Sequence, residues 1–234
     1  MNWFHEWTDT LYNTFIVSDR YMVLIDGLGK TIIITIGALI IGVIIGTIIA
    51  IIKVAVDQNK PSFIGKTLDK ICDLYLTVIR GTPVVVQLLI SFFILFPSAK
   101  DGTWVAILTF GVNSGAYVAE VIRSGIMAID KGQTEAGRSL GFSGFQTMQL
   151  IILPQAFKNI LPAIGNEMIA LLKETSVAGY VAVVEITKAG NQIKNTTYDQ
   201  INPILLVALL YLVMVIGMTR LLGVLERRLR NSER

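Results

Sequence analysis

Blocks of apolar residues alternate with short polar stretches along this chain. The clearest block runs from Ile32 to Ile52 and consists almost entirely of Ile, Val, Gly, Ala and Thr, without one charged residue. An α-helix rises about 1.5 Å per residue, so roughly 20 residues cross the roughly 30 Å hydrocarbon core of a bilayer. The block therefore predicts a membrane-spanning helix.

Further spans are predicted downstream. The stretches 78–97, 103–123 and 203–225 are apolar and long enough to cross. The region 153–190 is too short for two spans, so we expect one span over about 155–173, followed by a shorter helix or re-entrant piece at the outer surface. Charged residues in that region support this interpretation: Lys173, Glu174, Glu185 and Lys188. The pattern predicts an all-α membrane protein with about five transmembrane helices.

The first 20 residues have a different pattern. Trp3, Trp7, Leu11 and Phe15 recur every fourth residue and would form one apolar face of a helix. Tryptophan is favoured at membrane interfaces, so we expect an N-terminal amphipathic helix over 1–20 that lies on the membrane; a partner-binding helix is the alternative. The segment lacks the basic and continuous apolar regions of a signal peptide.

Composition agrees with a membrane protein. Hydrophobic residues make up 53% and charged residues 16% of the 234 residues, and the mean hydropathy is +0.64; soluble domains carry about a quarter charged residues. The single Cys72 excludes an internal disulfide, and the single His5 excludes a histidine-based metal cluster.

The distribution of positive charge predicts the orientation. Segments 53–80, 123–158 and 220–234 carry five, four and five of the 20 Lys and Arg residues. Because basic residues concentrate on the cytoplasmic side, the N-terminus is expected outside and the C-terminus inside, with a transmembrane domain over 21–228 and a cytoplasmic tail over 229–234. The net charge of +3 follows from this bias and does not indicate nucleic-acid binding.

The most informative segment is the predicted cytoplasmic loop 128–155. It reads Asp130-Lys-Gly-Gln-Thr-Glu-Ala-Gly-Arg-Ser-Leu-Gly141 and, nine residues later, Ile-Ile-Leu-Pro154. This resembles the cytoplasmic signature of ABC importer permeases, in which short helices dock into a groove on a separate ATPase subunit. The matching residues are Glu135, Ala136, Gly141, Leu153 and Pro154, whereas Gly137 stands where a second Ala is frequent.

The residues themselves suit docking. Polar residues such as Thr134 and Arg138 alternate with apolar Ala136 and Leu140, so the loop can offer a short amphipathic helix to a partner groove. Gly141 would supply a turn with positive φ. The alternative is an ordinary polar loop followed by a helix that starts at Pro154.

Two other segments narrow the resemblance. Arg80-Gly-Thr-Pro-Val-Val-Val-Gln87 and Ala116-Tyr-Val-Ala-Glu-Val-Ile-Arg123 look like segments of the polar amino-acid branch, whose members carry histidine, arginine, lysine, glutamine or glutamate. With Asn166 and Lys173-Glu-Thr-Ser176 the resemblance covers most of 20–225. Taken alone, the Arg80 segment could be a proline-initiated helix with a snorkelling arginine.

Polar residues within spans are candidates for a substrate path. Glu167 lies near the predicted midplane on one helix face with Ala163, Ala170 and Glu174. It is either the counter-ion of a cationic substrate or a structural carboxylate that is paired or protonated. In the resembling family the position after Asn166 is often neutral, so a glutamate there indicates arginine, lysine or histidine.

The remaining path candidates are ambiguous. Asn113 and Tyr117 lie near the middle of the third span and either line a path or bond a neighbouring helix. Glu120 approaches the cytoplasmic interface and can pair with Arg123. The resemblance implies that Lys173, Thr175 and Ser176 line or gate the path, although charges at a helix end are commonly structural. Two Gly-x-x-x-Gly motifs, Gly42–Gly46 and Gly111–Gly115, predict close helix packing.

No nucleotide site is expected in the chain, since Gly29-Lys30-Thr31 lacks the first glycine of a phosphate-binding loop. The chain is therefore not expected to be an enzyme or to hold a cofactor. The resemblance implies ATP and Mg²⁺ bound by a cytoplasmic ABC ATPase dimer, a second permease copy or a paralogue, and an extracytoplasmic solute-binding protein that delivers the amino acid. An ion-coupled secondary transporter and a channel or scaffold are the rival hypotheses.

Overall fold

The structure, a computed structural model, describes residues 2–58 and 62–231. Within these ranges the chain is helical and contains no β-strand, which confirms the all-α prediction. The α-helices are α1 (Asn2–Leu11), α2 (Tyr21–Gln58), α3 (Phe63–Gly81), α4 (Val84–Ile90), α5 (Gly102–Met127), α6 (Lys131–Ser139), α7 (Gly144–Thr147), α8 (Leu153–Glu174), α9 (Ile186–Thr197) and α10 (Asn202–Asn231). The π-helical turns Tyr12–Ile16 and Ser91–Leu95 extend α1 and α4, and a 3-10 helix, Thr175–Val181, follows α8.

Helices α2 and α5 form the central pair. A Cβ added at Gly42 would lie 2.9 Å from the Ser114 hydroxyl oxygen, and one added at Gly111 would lie 2.6 Å from the Cβ of Ile41. Glycine therefore permits the backbones to approach more closely than any larger residue would. The close packing predicted from the two Gly-x-x-x-Gly motifs is confirmed.

The largest buried apolar cluster lies where α2, α4, α5, α8 and the 3-10 helix meet. Its members are almost completely removed from solvent, and they fix the position of α4 and of the 3-10 helix against the central pair. They are Ile34, Ala38, Leu88, Ala106, Phe110, Leu171, Ala178, Val181 and Val183.

The predicted span over 78–97 is wrong as a single helix. The chain bends by 104° between α3 and the helical segment Val84–Leu95. Thr82 is extended (φ −119°, ψ 142°) and Pro83 follows it. Proline donates no backbone hydrogen bond and disfavours helical geometry in the preceding residue, so the apolar run is divided at this point.

The remaining predicted spans coincide with helices. Within the described residues α2, α5 and α10 are long and apolar enough to cross a membrane, and the bent α3–α4 pair gives a fourth if it counts as one span. Helix α8 covers the predicted 155–173 but is more polar and is not among them. The total of about five spans stays a prediction.

The expected shorter piece after α8 is present as the 3-10 helix and α9. The turn between them contains Ala182 with φ 61°, and Glu185 caps α9 by accepting hydrogen bonds from the backbone N–H groups of Thr187 and Lys188, both at 2.7 Å. The Glu185 carboxylate also accepts from the Tyr211 hydroxyl at 3.2 Å. These bonds compensate for its complete burial.

The N-terminal segment is helical from Asn2 and breaks before α2, where Ser18 has φ 59°. Trp7 and Tyr12 are exposed, and the side chain of Trp3 lies outside the described residues. Thr14 is buried and donates a hydrogen bond to Asp199 between α9 and α10 at 2.9 Å. The segment is thereby tied to that turn, and its location in a membrane interface stays a prediction.

Candidate transport and coupling sites

The predicted docking loop folds into two short helices. Asp130 begins α6 by accepting a hydrogen bond from the Gly132 N–H at 2.7 Å. Gly141 then turns the chain with φ +88°, the positive φ that the sequence predicted. Ser143 and Gln146 cap α7 reciprocally, each side chain bonding the other residue's backbone N–H. The Asp130 and Ser143 caps therefore fix where α6 and α7 begin, and Gly141 makes the turn between the two helices.

Gly137 attaches α6 to the rest of the loop. It is buried, and a Cβ at this position would lie 2.8 Å from the Thr147 side chain and 2.9 Å from that of Ile151. A second alanine, which the resembling family often has here, would require these side chains to move. The departure from the family pattern thus matches the close packing in this chain.

Most of the remaining loop is exposed, and we call five of its exposed residues the coupling surface: Glu135, Ala136, Arg138, Leu140 and Phe145. Leu140 and Phe145 each have 76% relative exposure, which is high for large apolar side chains. Exposed apolar groups beside charged ones are typical of a protein-binding surface. Leu153 and Pro154 form the first turn of α8 beside this loop, with Pro154 exposed.

A second feature is a cleft between α3 and α5, with a volume of about 530 Å³. The Arg80 guanidinium lies 5.6 Å from the centre of the Tyr117 ring, and one of its nitrogens lies 3.8 Å from a Glu120 oxygen. The cleft thus offers both charges and an aromatic face, the groups that bind a zwitterion. Its lining is Asp73, Leu76, Thr77, Arg80, Gly81, Tyr117 and Glu120.

Glu120 also contacts the predicted partner Arg123, at 3.5 Å. Arg123 in turn pairs with Asp57 near the end of α2, at 3.0 Å. These pairs are partly exposed, so each contributes little to stability. They connect α2, α5 and, through Arg80, the end of α3.

Glu167 lies at the contact of α8 with α5. It is half-buried, and one carboxylate oxygen accepts a hydrogen bond from the Ser114 hydroxyl at 2.8 Å. Among the described residues, no basic side chain lies within ion-pair distance of this carboxylate. An ionised Glu167 would therefore have one neutral donor and, in the part of the chain that the structure describes, no cation within ion-pair distance.

The other path candidates do not join these groups in one cluster. Asn113 is buried and donates a hydrogen bond to the Gln87 side chain at 3.0 Å. Thr175 is buried and donates to the Leu172 carbonyl at 2.7 Å, Ser176 is half-buried, and Asn166 and Lys173 are exposed. Only Tyr117 and Glu120 share the cleft.

Sequence reasoning missed three polar residues that complete these sites. Asp73 and Thr77 line the cleft from α3, and Ser114 binds Glu167. Thr77 and Asp73 lie one and two helical turns before Arg80, respectively, so helical spacing from that arginine would have selected them. No local signal distinguishes Ser114, whose partner is 53 residues away.

Comparisons with known proteins agree with this architecture. Residues 42–231 match the family described as "Binding-protein-dependent transport system inner membrane component". The chain is 37% identical over 213 residues to the arginine transport system permease protein ArtQ of Bacillus subtilis (strain 168), a match that covers 90% of this chain and 94% of ArtQ. It is 33% identical over 211 residues to the glutamine transport system permease protein GlnP of Escherichia coli (strain K12), covering 88% and 93%.

Solved structures give the same result. A chain of an amino acid ABC transporter crystallised with histidines superposes with a TM-score of 0.82 at 38% identity, covering 92% of this chain and 98% of that one. A chain of the MetNI methionine ABC transporter shares the fold at 19% identity, with a TM-score of 0.75 and coverage of 89% and 97%. The chain therefore belongs to the family of inner membrane components of binding-protein-dependent transport systems, as the resemblance of its loop 128–155 implied.

Proposed function

We propose that this chain is the membrane permease subunit of an ATP-driven importer for polar amino acids and that it prefers cationic ones. Relatives named for arginine and for glutamine transport support the amino-acid class, and they do not discriminate between the two. The preference for a cation therefore depends on Glu167, whose half-buried carboxylate has no ion-pair partner among the described residues.

Energy would enter through the coupling surface. In this proposal a cytoplasmic ABC ATPase dimer, which binds ATP and Mg²⁺, docks on Leu140 and Phe145 and moves α6 and α7 when it closes. A second permease, either a copy of this chain or a paralogue, completes the pore, and an external solute-binding protein delivers the amino acid. The two states exchange by alternating access, biased by partners that bind them unequally.

Electrostatics explains the expected preference. A carboxylate removed from water is costly unless a cation or several donors stabilise it. Ser114 supplies one hydrogen bond to Glu167, so the approach of an ammonium or guanidinium group would lower the energy of the site. The side-chain amide of glutamine carries no charge and would gain no comparable stabilisation, since the α-ammonium group is common to both substrates.

Reversal of charge on the coupling surface tests ATPase docking. We expect Glu135→Lys to abolish ATP-dependent uptake in proteoliposomes that contain the ATPase and binding protein, while the chain still inserts. Glu226→Lys, an exposed glutamate in α10 outside this surface, is the matched control and should retain uptake. Wild-type-like uptake by Glu135→Lys would contradict docking through this surface.

Neutralisation of Glu167 tests the substrate preference. We expect Glu167→Gln to lower labelled-arginine uptake about tenfold or more, which corresponds to about 1.4 kcal/mol of lost interaction, and to leave glutamine uptake nearly unchanged. Ser114→Ala retains the carboxylate and should affect arginine less. Arginine uptake indifferent to Glu167→Gln would assign this residue a structural role.

A further inference from the structure

Gln87 in α4 contacts three parts of the structure with one side chain. Its amide nitrogen donates to the Ile79 carbonyl at 2.8 Å, to the Thr82 hydroxyl at 2.7 Å and to the Thr82 carbonyl at 3.1 Å. Its amide oxygen accepts from the Asn113 side chain in α5 at 3.0 Å. The end of α3, the start of α4 and the middle of α5 therefore meet at this residue.

The bend between α3 and α4 leaves backbone carbonyls at the end of α3 that require hydrogen-bond donors from elsewhere, and Gln87 provides them. The last carbonyls of a helix have no partner within the helix, and Pro83 cannot donate to them. Gln87 supplies donors to two of these carbonyls from the far side of the bend. Asn113, which is buried in α5, then connects the bend to the central helix pair.

The same contact lies beside the α3–α5 cleft. Asn113, Tyr117 and Glu120 follow one another at helical spacing, so they lie on one face of α5. Arg80 directly follows Ile79, one of the carbonyls that Gln87 holds, and it reaches Tyr117 and Glu120 on that face. A change in the position of the α3 end would move Arg80 relative to both.

We propose that Gln87 is a positioning residue: through Ile79, Thr82 and Asn113 it holds the bend so that the Arg80 guanidinium remains in the cleft against Tyr117 and Glu120. Gln87 itself makes no contact with the substrate in this proposal; it affects the position of Arg80 only through the bend and Asn113. The transport consequence depends on the proposed function, whereas the effect on the bend does not.

The bend is measured with spin labels at Lys70 in α3 and Ile94 after α4, both exposed, in a Cys72→Ser background and with labelled chain diluted by unlabelled chain. We expect one narrow distance distribution in the otherwise unchanged chain and a broadened or displaced one in Gln87→Met, which removes every hydrogen bond of that side chain. Gln192→Met, at an exposed glutamine in α9, is the matched control and should keep the narrow distribution.

The transport arm uses reconstituted permease with its ATPase and binding protein. Gln87→Met should lower uptake at least tenfold, and Gln87→Met combined with Arg80→Ala should lose no more than Arg80→Ala alone, since both changes remove the same group from the cleft. If Gln87→Met does not insert, Asn113→Ala removes only the bond to α5 and serves both measurements.

An unchanged distance distribution in Gln87→Met, or losses that simply add in the double variant, would overturn the positioning role. Failure of the wild-type assembly to transport amino acids would instead contradict the proposed function and would leave the label distances as an independent test of the bend.

Discussion

At the scale of single residues, Asp101 shows how one side chain begins a long helix. Its carboxylate accepts hydrogen bonds from the Thr103 backbone N–H at 2.9 Å and the Thr103 hydroxyl at 2.7 Å, at the start of α5. The backbone bond, then the hydroxyl bond, lowers the pKa of Asp101 below its ordinary value of 3.8. The ionised form is therefore the better cap.

We expect Asp101→Ala to lower the free energy of unfolding by about 1 kcal/mol at neutral pH, since the first turn of α5 loses its cap. Asp101→Asn should retain most of the cap. Thermal unfolding of the purified protein, followed by tryptophan fluorescence, measures both, and equal melting temperatures for Asp101→Ala and wild type would contradict the capping role.

The pH dependence follows from the sign of this shift. Because the folded-state pKa lies below 3.8, the ionised cap stabilises the fold above that pH, and its contribution is lost as the pH falls through the folded-state pKa. The amount by which the melting temperature of wild type exceeds that of Asp101→Asn should accordingly decrease towards acid pH. A difference that stays constant across this range would contradict the assignment.

At the scale of helices, the α2–α5 contact depends on particular glycines. A Cβ at Gly46 would lie 2.7 Å from the Cβ of Val118, whereas a Cβ at Gly29, in the same helix, would meet no atom within 4 Å. The same substitution at these two positions should therefore destabilise the protein at Gly46 but not at Gly29.

We expect Gly46→Ala to destabilise the protein by about 1–3 kcal/mol through overpacking. Gly29→Ala should be neutral or stabilise by up to about 1 kcal/mol, because alanine favours a helix. Melting temperatures in detergent test the pair. The buried Cys72 thiol offers a second readout of unfolding, since it becomes reactive only when α3 separates from its neighbours. Equal effects of the two changes would contradict the packing argument.

The α3–α4 bend shows where reasoning at this scale failed. The apolar run continues across Thr82-Pro83, so hydropathy predicted one span over 78–97. The alternative for the Arg80 segment is a proline-initiated helix, and α4 does begin directly after Pro83. Hydropathy gave no indication of the preceding helix α3, whose 19 residues end at Gly81, just before this proline. The chain then bends by 104° between α3 and the helical segment Val84–Leu95.

At the scale of the whole molecule, the predicted orientation can be tested at two exposed aromatic residues. Tyr198 lies in the turn between α9 and α10, which Asp199 ties to the N-terminal segment through Thr14, and Phe145 lies on the coupling surface. The positive-inside rule places the first outside and the second in the cytoplasm.

In a Cys72→Ser background we expect Tyr198→Cys to react with a membrane-impermeant thiol reagent in intact cells. Phe145→Cys, in cells that lack the partner ATPase, should react only after the membrane is opened. The reverse pattern would invert the orientation and separate the coupling surface from a cytoplasmic ATPase.

Features that depend on local composition and spacing could be predicted from the residues alone. The charge-free run 32–52 is helical within α2, the stretches 103–123 and 203–225 lie within α5 and α10, and Gly141 has its expected positive φ. Such features follow from burial in lipid and from backbone sterics, which act over a few residues. The docking loop was found in the same way, from a motif within one segment.

Contacts between groups that are distant along the chain follow from the packing of the helices. Ser114 and Glu167 are 53 residues apart, and Gln87 and Asn113 are 26 residues apart. Their contacts depend on how α4, α5 and α8 pack around the central pair, since each bond forms only after the helices are brought together. The α3–α5 cleft likewise exists because α3, which ends at Gly81 just before Pro83, lies against α5. Periodicity along the chain carries no information about which helices become neighbours.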